Sequence, residues 1–294
     1  MAYPRYREPV YRPPSEANSL VLQITIGCSQ NHCRFCGMYK HKRYTVRELP
    51  ELLGELDGLP HRYKEQVTRV FLADGDALAY PFDGLMVLLQ AFQVAFPRLQ
   101  RVSSYASPKS LAEKTQQEMQ QLRAAGLRLL YLGLESGDPE TLAISGKGYH
   151  PDEVASLAMM ARRAGMKLSV TAILGLGGRA RSSQHAKATA DWVNLVNPEF
   201  FSLLTLFVRH NDAFLSSLER MTVRDIFDEV RRMLEDLHPC KTILRSNHVS
   251  NLITLAGSYP KDRERLLADL RRARLQAEGY PGLLDSIPDY AESM

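Results

Sequence analysis

Three of the four cysteines stand within nine residues, Cys28, Cys33 and Cys36, in the stretch GCSQNHCRFCG. Four residues separate the first pair and two the second. Thiolates are strong, soft ligands, so this grouping favours zinc, Cu(I) or iron–sulfur. Structural zinc usually takes four protein ligands, and the only other cysteine, Cys240, is far along the chain. Three cysteines can instead hold three irons of a 4Fe–4S cube and leave the fourth open for chemistry. His32 is an alternative fourth ligand in a Cys3His zinc site, although its place beside Cys33 makes joint coordination awkward. Three structural thiols close together by chance is the bland alternative.

The elements that must position these residues can be read from periodicity and punctuation. Residues 1–19, rich in Tyr, Pro and Arg, form an extended arm. A strand over Leu20 to Ile26 runs into the cysteine loop. Thr45 is placed to cap a helix over Val46 to Leu56, with Glu48 at the reciprocal position. Val67 to Ala73 is a strand ending in Asp74-Gly75-Asp76, followed by a helix over Phe82 to Phe96. A strand over Arg101 to Tyr105 precedes a helix opened by Ser107-Pro108 and stopped at Gly126. Leu127 to Leu134 is a strand ending in Glu135-Ser136-Gly137. A short helix after Asp138-Pro139 is followed by a longer one from Pro151 to Ala164. Lys167 to Leu174 leads into glycine-rich Gly175 to Gly178, then a helix over Ser182 to Val196 and a strand over Phe200 to Val208. Thr222 caps a helix to Leu237, Ile243-Leu244 is a short last strand, and a helix covers Pro260 to Ala277. Strand–helix alternation with short turns indicates an α/β fold with a mainly parallel sheet. Six units imply a partial (β/α)6 TIM-like barrel with a C-terminal helical extension. The expected division is an arm (1–19), a core barrel (20–210) and an extension that completes or covers it (211–294). Cys28, Asp74, Ser107, Glu135 and Gly175 all follow strands, the ligand-binding end of such sheets.

Composition bounds the alternatives. Over 294 residues, 45% are hydrophobic and 24% charged, ordinary for a globular protein. The net charge of +4 is too small to argue for nucleic acid. Arg5, Arg7 and Arg12, and again Arg271, Arg272 and Arg274, read as solvated surface. No apolar stretch approaches the about 20 residues of a membrane span. The basic N-terminus has no apolar core of a secretory signal, so the expected location is cytoplasmic, and clustered unpaired cysteines fit a reducing compartment.

At this point the residues resemble a known superfamily. The strand–cysteine loop, DGD after the second strand, GLESGDPETL around the fourth and the glycine-rich end of the fifth look like a radical S-adenosylmethionine (SAM) enzyme. The likeness covers about residues 8 to 275. It is greatest to the branch related to oxygen-independent coproporphyrinogen oxidase and the Elongator catalytic subunit. It implies an oxygen-sensitive 4Fe–4S cluster on Cys28, Cys33 and Cys36. SAM on the open iron is cleaved by one electron to a 5′-deoxyadenosyl radical, which abstracts hydrogen from an organic substrate. By the same resemblance Phe35 lies near adenine, and Asp74, Gly75 and Asp76 bind the methionyl amino group. Glu135 contacts the ribose, Lys147 the carboxylate, and Gly175, Leu176 and Gly177 offer backbone beside adenine. A low-potential donor such as flavodoxin or ferredoxin is the implied partner. The commonest spacing in the superfamily has three residues in the first gap, and here there are four, within the accepted variation.

Each match also has a bland form: DGD as a turn, Lys147 as a loop lysine, GLGG as a strand-to-helix turn. With one cysteine left over, a second protein-ligated cluster is not expected. Cys240 reads as structural, with a transiently methylated acceptor as the other possibility. Arg245, Asn247 and His248 in RSNHVSN, with His210 after the sixth strand, are the candidates for substrate contact or proton handling. The competing reading is that Ser and Asn there satisfy a loop's own backbone. The alternative function is a non-catalytic metal protein, either a zinc-stabilised domain or an iron–sulfur electron carrier.

Overall fold

The computed structural model describes residues 4–206, 212–248 and 250–288. The chain forms two compact units. The first comprises residues 4–31, 39–132 and 157–168. Its strands are β1 (Leu20–Gln23), β2 (Thr25–Ile26), β3 (Thr45–Val46), β4 (Arg69–Ala73), β5 (Arg101–Ala106) and β6 (Leu127–Glu135), whose last three residues belong to the second unit. Its helices are α1 (Leu49–Asp57), α2 (His61–Lys64), α3 (Phe82–Ala95), α4 (Pro108–Ala112) and α5 (Gln116–Ala124). β1, β4, β5 and β6 pair in that order, all parallel, with Leu22 opposite Leu72 and Leu72 opposite Ser104. Parallel pairs need crossovers, and α3 and the α4–α5 pair supply them. Phe71 sits edge-on to Tyr105 and Tyr131 at 5.0 and 5.8 Å in the core.

The N-terminal arm is held on this unit. The Tyr6 hydroxyl donates to the Val21 carbonyl at 2.8 Å. Buried Glu16, in a single 3-10 turn, accepts from Arg101 (2.7 Å) and the Tyr131 hydroxyl (2.6 Å).

Several expected boundaries are corrected. The first strand is interrupted at Ile24, which donates to the Ala73 carbonyl and accepts from the Arg47 amide. Thr45 is no helix cap: Thr45 and Val46 pair antiparallel with Ile26 and Thr25, and the helix begins at Leu49 with Pro50 in its first turn. The long helix after Ser107 is two helices. Thr115 accepts from the Glu118 amide and Glu118 reaches back to Thr115, a capping box that restarts the chain as α5.

The second unit comprises residues 32–38, 133–156 and 169–288. Its elements are α6 (Pro139–Ser145), α7 (Pro151–Arg163, which runs on into the first unit's residues), β7 (Lys167–Leu174), α8 (Gly178–Val196), β8 (Phe200–Thr205), α9 (Asp212–Ser216), α10 (Val223–Asp236), β9 (Ile243–Arg245), β10 (Ala256–Ser258) and α11 (Arg263–Glu278). β7, β8 and β9 pair parallel, and β10 turns back antiparallel on β9. The α/β class, the parallel pairing and the C-terminal helices are as expected. β10 was not foreseen, because Ala-Gly-Ser has no apolar alternation. α8 begins at Gly178 and not at Ser182, so the glycine turn is itself the helix start. The end of the sixth strand expected at Val208, and His210, lie outside the described residues.

Candidate functional site

In the first unit, the start of the cysteine loop meets the turns after β4 and β5. Gly75 donates its N–H to the Gly27 carbonyl at 3.1 Å. The Cys28 Sγ lies 3.7 Å from the Gly75 carbonyl oxygen. A Cβ on Gly75 would come within 2.9 Å of the Cys28 Cβ and of the Tyr39 ring, so only glycine allows this approach.

Both aspartates of DGD are fully buried and engaged. Asp74 Oδ2 accepts from Lys42 Nζ (2.9 Å), Gln23 Nε2 (3.0 Å) and the Gly27 amide (3.1 Å). Lys42 also donates to the Arg7 and Pro9 carbonyls, both at 2.6 Å. Lys42 thus gives Asp74 an internal counter-charge at Oδ2, while its Oδ1 is buried with no hydrogen-bond partner among the described residues. Asp76 accepts from the Ser107 amide (3.0 Å), the Ser107 hydroxyl (2.7 Å) and the Ser29 hydroxyl. Burial pushes the Tyr39 phenol far above its ordinary range, with Tyr105 and Asp74 adding to the rise.

In the second unit, the rest of the loop meets the segments after β6 and β7. Arg34 donates its amide to the Ser145 carbonyl (2.8 Å) and its guanidinium to the Ile144 carbonyl (3.2 Å). His32 Nε2 faces Gly148, where a Cβ would lie 3.3 Å away. Phe35 packs on the apolar cluster of Leu176, Leu206 and Phe214, which brings the loop aromatic to the middle of the Gly175–Gly177 turn.

Glu135 pairs with Lys147 at 2.9 Å, both side chains nearly buried. Glu135 has a φ of +67°, a left-handed conformation that non-glycine residues rarely adopt. Such strain concentrates at functional sites. Burial pushes the Cys36 thiol up; Cys33 and Glu135 push it further, while the Met38 backbone and Lys147 oppose. All four cysteines are free thiols. Among the described residues, no three His, Cys, Asp or Glu side chains converge closely enough to grip a metal ion as they stand.

Gly175 and Gly178, both at positive φ, make the turn from β7 into α8. The Gly175 amide donates to Glu229 Oε1 of α10 at 2.7 Å. Arg245, the last residue of β9, and Asn247 just after it are exposed. Asn251 donates to the Leu203 carbonyl (2.7 Å) and accepts from Thr205 (3.0 Å), while Ser246 donates to the Ile253 carbonyl. Ser246 thus serves its own loop, and Asn251 ties that loop to β8. His248 is half-buried against Ser250 (2.8 Å), and burial lowers its pKa. Cys240 is exposed, its amide bonded to Asn197.

Lys42, His185 and Glu229 were not singled out from the sequence. A signal existed for two of them. Glu229 falls on the apolar stripe Ile226, Val230, Met233 of α10, and His185 lies among the small buried residues of α8.

A parallel α/β fold, a three-cysteine loop and glycine-rich turns after the strands together describe a cofactor-dependent α/β enzyme. Residues 22–192, well over half the chain, match the Radical SAM superfamily, and the chain belongs to that family of enzymes. No curated protein matches it. Among solved structures, it is similar to the radical S-adenosylmethionine methyltransferase TsrM from Kitasatospora setae with cobalamin and a [4Fe-4S] cluster bound. Identity is 20% and the TM-score 0.52, over 63% of this chain and 36% of that one. Methylornithine synthase (PylB) is 14% identical, with a TM-score of 0.52 over 87% and 80%. Coproporphyrinogen III oxidase (HemN) from Escherichia coli is 17% identical, with a TM-score of 0.49 over 66% and 46%. The chain thus spans about a third of the TsrM structure's length. Among the described residues no helix is long and apolar enough to cross a membrane.

Proposed function

We propose that the chain binds a 4Fe–4S cluster through Cys28, Cys33 and Cys36 and uses SAM to abstract hydrogen from an organic substrate. The observation that carries this reading is the convergence, within one compact unit, of Cys33, Phe35 and Cys36 with the Glu135–Lys147 pair and the Gly175–Gly177 turn. The donor set fits: three thiols outside any disulfide, on one short loop, suit a cluster with an open iron, and glycine at position 75 lets its backbone pack close beside Cys28. When bound, the reduced cluster supplies the electron that splits SAM into methionine and a 5′-deoxyadenosyl radical.

The protein's part is binding and orientation. Glu135 accepts from ribose hydroxyls, and Lys147 exchanges its bond to Glu135 for the SAM carboxylate. Phe35 and the Gly175-Leu176-Gly177 backbone flank adenine. Asp76 is held by Ser107 and Ser29 and Asp74 Oδ2 by Lys42, which leaves Asp74 Oδ1 and the Gly75 carbonyl as the acceptors in DGD for the methionyl ammonium. Arg245 and Asn247, both exposed, and His248, whose Nδ1 also accepts from the Ser250 amide, are the proposed contacts to the substrate. A flavodoxin or ferredoxin supplies the electron.

The test is anaerobic. Reconstituted protein given SAM and dithionite should form 5′-deoxyadenosine, and Cys33→Ala should abolish it. Equal product from that variant, or zinc in place of iron in the purified protein, would overturn the assignment in favour of a non-catalytic metal domain.

A further inference from the structure

Two titratable side chains outside this site are wholly buried and face each other: His185 of α8 and Glu229 of α10. The imidazole Nε2 and the Glu229 Oε1 are 3.8 Å apart. That is beyond hydrogen-bond range, so the contact is electrostatic. Each partner instead makes its hydrogen bond outward, to a different segment of the nucleotide site. Glu229 Oε1 accepts from the Gly175 amide at 2.7 Å. His185 Nδ1 pairs with the Ser136 hydroxyl at 2.8 Å. Ser136 follows Glu135, and its hydroxyl also accepts from the Asp138 amide at 2.9 Å.

Burying a carboxyl and an imidazole is costly unless they are satisfied, and here His185 Nε2 and Glu229 Oε2 have no hydrogen-bond partner among the described residues. Apolar residues of similar volume would fill the same space, so packing does not account for them. What they provide is a fixed link of four groups, Ser136, His185, Glu229 and Gly175, between the turn after β6 and the turn after β7. Both turns carry left-handed backbone, at Glu135 and at Gly175.

We propose that His185 and Glu229 are positioning residues for the nucleotide. They hold the Glu135 turn and the Gly175–Gly177 turn in fixed register before SAM arrives. The proposal rests on the SAM-binding reading above, and its test separates the two.

Hydrogen exchange of residues 135–138 and 175–177 is measured on the cluster-free chain, and the SAM dissociation constant on the reconstituted protein. Glu229→Leu leaves the Gly175 amide without its acceptor. It should speed exchange at 175–177 and weaken SAM binding about tenfold or more, the scale of one orphaned buried donor, with iron content unchanged. Glu229→Gln keeps an acceptor and should restore both to within about threefold. Should Glu229→Leu fail to fold, Ser136→Ala serves. The side-chain route from Ser136 to Gly175 runs through His185 and Glu229, so faster exchange at 175–177 in that variant is the expected result. A response confined to 135–138 overturns the link. Faster exchange at 175–177 with unaltered SAM affinity overturns the connection to the nucleotide. Wild-type protein that carries iron but binds no SAM overturns the parent reading instead.

Discussion

At the residue scale, the first unit's buried charges decide where stability is lost. Asp74 is fully buried, and its one ionic partner among the described residues is Lys42, itself nearly enclosed. Lys42→Met should leave an uncompensated carboxylate and cost about 3–5 kcal/mol, because the desolvation cost stays when the counter-charge goes. Pairing it with Asp74→Asn should recover most of the loss. Urea unfolding of the single and double variants checks this, and a loss of stability below about 1 kcal/mol in the single variant would contradict it. Glu229 gives a pH dependence of opposite sense to the usual carboxylate. Burial raises its pKa above 4.5, despite His185, Ser182 and the Gly175 amide acting to lower it. A raised carboxyl binds its proton more tightly when folded. Its contribution is therefore complete below the ordinary carboxyl range and fades as pH climbs through the folded value. Wild type should thus lose stability relative to Glu229→Gln as pH rises above the ordinary carboxyl range, as read by thermal unfolding at successive pH values. Lys42 was not visible as a partner in the sequence, since it reads as one more charge in KHKR and meets Asp74 only through the fold.

At the element scale, strands and long helices were legible because their burial follows from period: β4, β5, β6 and β7 begin or end within two residues of expectation. Short-range signals misled wherever a longer-range pairing won. Thr45 with Glu48 looks like a cap until Thr45 pairs with Ile26, and one helix becomes two because Thr115 and Glu118 form a cap inside it. That inner cap has a measurable consequence: Thr115→Ala should cost about 1 kcal/mol in chemical unfolding, and a neutral result would mean that α4 and α5 are joined by packing alone. Gly137 marks another contact between elements. A Cβ there would run into the Ala188 carbonyl of α8, so Gly137→Ala should cost at least about 1–3 kcal/mol as the helix is pushed from the Gly137 turn. Unchanged unfolding of that variant would show that α8 has slack.

At the scale of the whole molecule, the family was readable from one loop and the order of polar residues after strands. The substrate was not, because Arg245, Asn247 and His248 take their meaning from a molecule that the sequence does not encode. The distribution of thiols has a practical corollary. Of four cysteines, three sit on the loop proposed to carry the cluster, and Cys240 alone is exposed and apart from it. A thiol-reactive dye added under argon should therefore titrate four groups in metal-stripped, unfolded protein and a single one in the fully loaded enzyme. The stoichiometry of labelling becomes a colorimetric gauge of cofactor occupancy that needs no knowledge of what the enzyme acts upon. A loaded sample that still takes up three or four equivalents would place the metal elsewhere.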